Sequence, residues 1–204
     1  MLPLYILVGG ASSRFGVDKA SFPVDGRPWA EHVASRLSSP GAPSRLGTPG
    51  APSGQYTLVG RLMHPDALPG AHCIADAAEG EGPLTGVLAA LDHQRRSHGE
   101  GLVAVASCDL VRPEPQWLAP LAAAHWAEPE LEAAAYQAAG RWQPFPCVAH
   151  TRWTQTLRRL LAEGVRSWQQ ALAASRAHAE PWTGPADGPP QANTPAELRL
   201  RLSP

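Results

Sequence analysis

Two short apolar runs constrain this chain more than any other feature. Leu4-Tyr5-Ile6-Leu7-Val8 ends in Gly9-Gly10, and Leu102-Val103-Ala104-Val105-Ala106 ends in Ser107-Cys108-Asp109. Neither run alternates polar with apolar residues, so each must be covered on both faces, as in the strands of a parallel sheet. Weaker strand patterns occur at Tyr56-Thr57-Leu58-Val59 and His72-Cys73-Ile74-Ala75. Helical spacings lie between them. Trp29, Val33 and Leu37 recur on one face, as do Leu84, Val87, Leu88 and Leu91 behind Pro83, a residue suited to a first helical turn. Pro115 to Trp126 reads as a third helix with Leu118, Leu121 and Ala122 inward. Buried strands alternating with amphipathic helices predict a βαβ series, so the expected fold class is α/β.

Beyond about residue 128 the rhythm changes. Glu130 to Gln137 and Trp142 to His150 read as strands joined by a turn at Gly140, either an antiparallel pair or an edge excursion. Helices are expected over Thr151–Ala162 and Ser167–His178, and a short one over Pro195–Leu202 with Thr194 as its N-cap. Six of the seven tryptophans lie at or beyond Trp117, and most are read as packing, the usual use of so large an apolar surface. Residues 38–54 carry Pro-Gly-Ala-Pro-Ser twice, at 40–44 and 49–53. So few large apolar side chains cannot offset ordering entropy there, which predicts a mobile surface insertion within a single domain spanning 1–204.

Composition excludes several classes. With 44% hydrophobic and 17% charged residues the chain is no polar disordered polymer. Seventeen Lys+Arg against 18 Asp+Glu leave no field for nucleic acid or an anionic membrane, so neither is expected as a partner. An anionic ligand must therefore be held by local geometry. No apolar run approaches the roughly 18 residues of a membrane span. The N-terminus shows no basic n-region, and the three cysteines (Cys73, Cys108 and Cys147) form no CxxC pair. A cytoplasmic location is expected.

The chemistry concentrates in Leu7-Val8-Gly9-Gly10-Ala11-Ser12-Ser13-Arg14-Phe15-Gly16-Val17-Asp18-Lys19. A strand runs into a loop of glycines and small hydroxyls, whose amides can form an anion-binding concavity. Arg14 and Lys19 then supply charge at two points along a polyphosphate. The segment fits neither a Walker A loop nor a dinucleotide fingerprint. Asp109 emerges from a buried strand, where a carboxylate suits Mg²⁺, the alternative being a cap for the helix that follows. Asp76 ends another strand candidate.

The pattern Leu-x-Gly-Gly-x-Ser-x-Arg-x-Gly-x-Asp-Lys resembles the signature of nucleotidyltransferases with the nucleotide-diphospho-sugar transferase fold, and most closely the molybdenum cofactor guanylyltransferases. Further segments fit in order. These are Phe22-Pro23-Val24-Asp25-Gly26-Arg27-Pro28, Asp76 with Gly82-Pro83-Leu84-Thr85-Gly86, Ser107-Cys108-Asp109, Pro144, and Asn193-Thr194-Pro195-Ala196-Glu197-Leu198. Departures are Phe15 for the commoner Met, Ser107 for Pro, Gly60-Arg61 where relatives often carry Asn, and the 38–54 insertion.

The resemblance implies a three-layer α/β/α architecture with a mostly parallel, Rossmann-like central sheet. About 1–110 would form the nucleotide-binding half and about 111–204 the acceptor-binding half. It implies GMP transfer from GTP to the terminal phosphate of molybdopterin, with Mg²⁺ held by Asp109. Arg14, Lys19 and Asp109 would be catalytic. Leu7, Val8, Gly9, Gly10, Ser12, Arg14, Lys19, Asp76, Gly82, Pro83, Leu84 and Asp109 would bind nucleotide. Pro144, Asn193 and Thr194 would face the acceptor, although Thr194-Pro195 equally reads as a helix cap. Gly9-Gly10 favours GTP over CTP, because cytidylyl relatives usually run Leu-Ala-Ala-Gly. Transient contacts with other molybdenum cofactor biosynthesis proteins or with recipient molybdoenzymes are compatible with it. The alternatives are a cytidylyltransferase of the same cofactor, a sugar-1-phosphate nucleotidyltransferase, and an inactive nucleotide-binding adaptor.

Overall fold

The computed structural model describes residues 2–9, 18–38, 56–64, 66, 68, 70–78 and 80–202. Along the first half the elements are β1 (Leu4–Leu7), the hairpin strands β2 (Pro23–Val24) and β3 (Arg27–Pro28), α1 (Trp29–Leu37), β4 (Tyr56–Val59), β5 (His72–Ile74), α2 (Pro83–His98) and β6 (Leu102–Ser107). A 3-10 turn at Pro115–Trp117 leads into α3 (Leu118–Ala127), then β7 (Ala133–Ala138), β8 (Arg141–His150), α4 (Trp153–Ala162), α5 (Trp168–Ala173), β9 (Ala177–Pro181) and α6 (Pro195–Leu202).

Seven strands form one sheet in the order β5-β4-β1-β6-β8-β7-β9. β8 is antiparallel to both its neighbours, and the other pairings are parallel. The mostly parallel α/β sheet expected from the apolar runs is therefore present. The pair β7–β8 is antiparallel, with β8 inside the sheet and not at its edge. The β1-to-β4 and β5-to-β6 crossovers run in opposite directions across the sheet. Right-handed connections thus put α1 and α2 on opposite faces, and both helices pack against β1.

Ile6, Leu58, Val103 and Val105 are fully buried, as double-sided coverage requires. Trp29 and Trp153 are fully buried too, each with its indole N–H satisfied: Trp29 Nε1 donates to Leu110 O at 2.9 Å and Trp153 Nε1 to Ser175 Oγ at 2.7 Å. Trp126, by contrast, is exposed.

The helix expected over Ser167–His178 is corrected. α5 ends at Ala173, and Ala177–Pro181 instead forms β9, registered parallel to β7 from Ala133↔Ala177 to Gln137↔Pro181. The open edge of β7 offers a row of backbone partners, and that pairing outweighs the local helix preference that the alanines of this stretch supply. Ser38 closes α1, and residues 39–55, which hold nearly all of the expected insertion, lie outside the described residues.

One buried histidine ties the fold to pH. His125 on α3 donates from Nε2 to Val148 O at 3.1 Å, and its Nδ1 has no partner among the described residues. Burial pushes its imidazole from 6.5 down to about 4. The unfolded chain then binds the proton more readily, so stability from neutral His125 is complete above pH 6.5 and drains as pH falls through about 4. Denaturant titrations from pH 7 to 4 are expected to show a loss of about 3 kcal/mol attributable to this group. His125→Gln should remove that part of the slope.

Candidate functional site

Register aligns the strand ends. Leu7 pairs with Val59 on one side and Ser107 on the other, and Val59 pairs with Ile74. Val8-Gly9, Gly60-Arg61, Asp76 and Cys108-Asp109 therefore leave the sheet along one carboxyl edge, where open α/β sheets take ligands. Backbone bonds continue the ladder past the strands, from Val8 N to Val59 O (2.8 Å), Gly60 N to Ile74 O (2.9 Å) and Cys108 N to Leu7 O (3.1 Å).

The N-terminus of α2 reaches the same edge. Gly82 is its N-cap at φ +94°, Pro83 follows in the first turn, and the Thr85 hydroxyl donates back to Gly82 O at 2.8 Å. Gly86 lies so close to the Leu7 side chain that an added Cβ would stand 3.2 Å from it, and 3.7 Å from Asp76 Oδ2. Leu7, Asp76 and the opening of α2 thus form one wall. Asp76 Oδ1 accepts from Ala78 N at 3.2 Å, which fixes its turn and leaves Oδ2 toward α2.

The opposite wall is built by Asp109, Lys19 and the chain near 190. Lys19 Nζ lies 3.8 Å from Asp109 Oδ2 and donates to Asn193 Oδ1 at 3.1 Å and Ala192 O at 3.4 Å. The segment before α6 is bound to the strand end by Val111 N to Pro190 O, Ala192 N to Asp109 O and the Leu110–Gln191 bridge. Burial pushes the Asp109 carboxyl above the usual carboxylate range, opposed by the Ser107 hydroxyl and the Lys19 ammonium. Asp109 Oδ1 is shielded from solvent and has no hydrogen-bond partner among the described residues. Asp109 does not cap a helix, since the next helical turn begins at Pro115 behind Glu114.

Three expected site residues, Gly10, Ser12 and Arg14, lie outside the described residues. Leu7, Val8, Gly9, Lys19, Asp76, Gly82, Pro83, Leu84, Asp109 and Asn193 sit on or beside the carboxyl edge. Pro144 lies near the start of β8, whose Gln143 side chain packs tightly on Gly188 and so links that strand to the segment carrying Asn193. Thr194 caps α6, accepting from Glu197 N at 3.2 Å, while Glu197 accepts from Asn193 N at 2.6 Å. That reciprocal arrangement is legible in Thr194-x-x-Glu197. Asp18 went without a role in the sequence reading. Buried, it accepts from Ala20 N at 3.1 Å and Met63 N at 3.2 Å, anchoring the chain that delivers Lys19. Burial pushes the Cys108 thiol far up, so it is packing beside Asp109 and no nucleophile.

A carboxyl sheet edge that carries Gly9 at φ +92°, a helix N-terminus and a Lys–Asp pair has the arrangement of an α/β protein that takes an anionic ligand. Comparison narrows the class. Residues 4–178 match the model of the MobA-like NTP transferase domain, and the chain belongs to that family. It is 36% identical over 169 residues to the probable molybdenum cofactor guanylyltransferase of Deinococcus radiodurans, covering 81% of this chain and 77% of that one. A molybdenum cofactor guanylyltransferase of Sinorhizobium fredii is 40% identical over 96 residues, 46% of this chain and 38% of the relative.

Among solved structures, molybdopterin-guanine dinucleotide biosynthesis protein A of Archaeoglobus fulgidus has a TM-score of 0.70 at 20% identity, covering 98% of this chain and 96% of its own. A CMP:2-keto-3-deoxy-manno-octonic acid synthetase in complex with CTP has a TM-score of 0.65 at 15% identity, with the same coverages of 98% and 96%. At such identities the structural likeness shows the shared fold. The family resemblance read from the motifs is borne out.

Proposed function

We propose that this nucleotidyltransferase moves GMP from GTP to the terminal phosphate of molybdopterin and releases pyrophosphate. The observation that carries this reading is the Lys19–Asp109 pair, 3.8 Å apart on the carboxyl edge that also carries Gly9. A bond forms between the acceptor phosphate oxygen and the α-phosphorus of GTP. The α–β bridging P–O bond breaks, and pyrophosphate leaves with the electron pair. The attacking phosphate is already anionic at neutral pH, so no histidine or serine need take a proton. Positioning and charge stabilisation supply the catalysis.

Lys19 is the fixed cation of that scheme. Its bonds to Asn193 and Ala192 hold the ammonium between the nucleotide wall and the acceptor-side segment, where charge develops in transfer. The solvent-shielded Oδ1 of Asp109, without a partner among the described residues, suits a cation ligand, so the residues fit Mg²⁺ held by Asp109. Such an ion would neutralise phosphate oxygens. Arg14 with the Gly9, Gly10 and Ser12 backbone would take the phosphates. Leu7, Val8, Asp76, Gly82, Pro83 and Leu84 would surround the nucleoside, and Pro144 and Asn193 the acceptor. Thr194, already engaged as a cap, would act by holding the turn that presents Asn193. A cytoplasmic location goes with this reading, in keeping with three free thiols. No helix among the described residues is long and apolar enough to cross a membrane.

Equilibrium binding of GTP and CTP with Mg²⁺ tests the base preference. GTP is expected to bind about tenfold tighter or better, to weaken on chelation, and to give molybdopterin-dependent pyrophosphate release. Preference for CTP would move the chain to the cytidylyl chemistry, and binding without turnover to an adaptor.

A further inference from the structure

The β7–β8 hairpin rises past the end of its neighbour. β6 and β8 pair from Leu102↔His150 to Val105↔Cys147, and the same register sets Ser107, the last residue of β6, opposite Phe145. Arg141 to Pro144 therefore overhang the carboxyl edge by about 10 Å. They stand on the side of Asp109 away from the wall formed by Leu7, Asp76 and the start of α2.

That overhang has a bare backbone edge. Ala139 at φ +47° and Gly140 at φ +72° make a two-residue turn closed by the pair Ala138↔Arg141. The closing residues bond to one another, so the N–H and C=O of Trp142, the next residue, point away from β7 into the line of β6. β6 has already ended there. Gln169 on α5 supplies what a strand would: Trp142 N donates to Gln169 Oε1 at 2.9 Å, and Gln169 Nε2 donates to Trp142 O at 2.7 Å. One carboxamide satisfies both groups. Fixing Trp142 also fixes Gln143, whose side chain packs on Gly188 in the segment that carries Asn193. The packing of α5 does not need Gln169, since the helix buries Trp168, Ala171 and Leu172 while Gln169 is only partly buried.

We infer that Gln169 is a positioning residue for the acceptor, holding the strand end Trp142-Gln143-Pro144 upright beside Asp109 as the acceptor's wall. This rests on the guanylyl-transfer reading, which puts the acceptor on that side of Asp109. Without the carboxamide, two backbone groups of Trp142 lose their partners and the hairpin end is released. Acceptor binding then weakens while the nucleotide wall, built from other elements, stays in place.

The test compares the full wild-type chain with Gln169→Met, which keeps the length but removes the carboxamide, and with Gln170→Met, its exposed neighbour. Pyrophosphate release is followed against molybdopterin concentration at saturating GTP. Gln169→Met is expected to raise the KM for molybdopterin about tenfold, while kcat, GTP affinity and Tm stay near wild type. Hydrogen exchange at the Trp142 amide should quicken, with Ala133–Ala135 unchanged. Gln170→Met should move none of these. An unchanged KM in Gln169→Met, or GTP affinity falling by the same factor as acceptor affinity, would overturn the inference. A wild type that binds GTP without transfer to molybdopterin would remove the underlying reading, and this inference with it.

Discussion

Asp109→Asn is expected to lower transfer turnover by about 10³-fold, the scale of losing one charge-stabilising group in a closed site, while leaving the protein at least as heat-stable as wild type. The two effects separate because they come from opposite signs of one fact. Burial raises the Asp109 pKa, so its ionised form costs the folded state free energy at neutral pH. Amide replacement removes that cost and keeps the shape. Lys19 loses a partner 3.8 Å away but keeps Asn193 Oδ1 and Ala192 O. A structural carboxylate would show the reverse, with stability falling and chemistry surviving.

The pH dependence of metal-supported nucleotide binding offers a second check. In wild type it should weaken as pH drops through the raised carboxyl value, since proton and cation compete for the same oxygens. In Asp109→Asn that component should vanish. Full turnover in the variant would remove Asp109 from the reaction.

The sequence made some of this legible for identifiable reasons. Leu4–Leu7 and Leu102–Ser107 are buried on both faces, and double-sided burial leaves an unbroken apolar run that no surface element would carry. Asp109 could be placed at a strand end because it follows such a run, and Asp76 because it follows the weaker strand pattern His72-Cys73-Ile74-Ala75. β9 was not legible. Its residues, Ala177 to Pro181, are only partly buried, and they become a strand because β7 presents an edge to them from more than 40 positions earlier. Nothing local encodes that pairing. The meeting of Lys19 with Asn193 was hidden in the same way, since 174 positions separate them and the Leu110–Gln191 bridge makes the connection. Asp18 was obscured by its neighbour: beside a lysine it reads as one more charge, yet its carboxylate is spent on two backbone N–H groups.

Gly60→Ala is expected to be the most damaging small substitution in the described part of the site. Sequence marked this position only as one where relatives often carry Asn. In the structure Gly60 has φ +118°, and an added Cβ would fall 1.9 Å from Val8 O and 3.0 Å from Val8 C. Neither atom can rotate away, because both belong to backbone. Val8 N is bonded to Val59 O and Gly60 N to Ile74 O, so relief of the overlap must break the ladder that ends β1 and β4. A loss of about 3–5 kcal/mol is expected, readable as a fall of about 10 °C in Tm for a domain of this size.

Nucleotide affinity should fall with it, because the displaced segment, Val8-Gly9, is the start of the glycine-rich sequence expected to bind phosphate. Gly9→Ala is the matched control. Its φ of +92° is also unfavourable for alanine, but among the described residues its Cβ would meet nothing nearer than Arg61 N at 3.5 Å. It should cost about 1–2 kcal/mol, from backbone conformation alone. Equal losses in the two variants would mean that positive φ, and not the approach to Val8, is what the site requires of glycine. A wild-type melt for Gly60→Ala would mean that the strand ends do not close on one another as described.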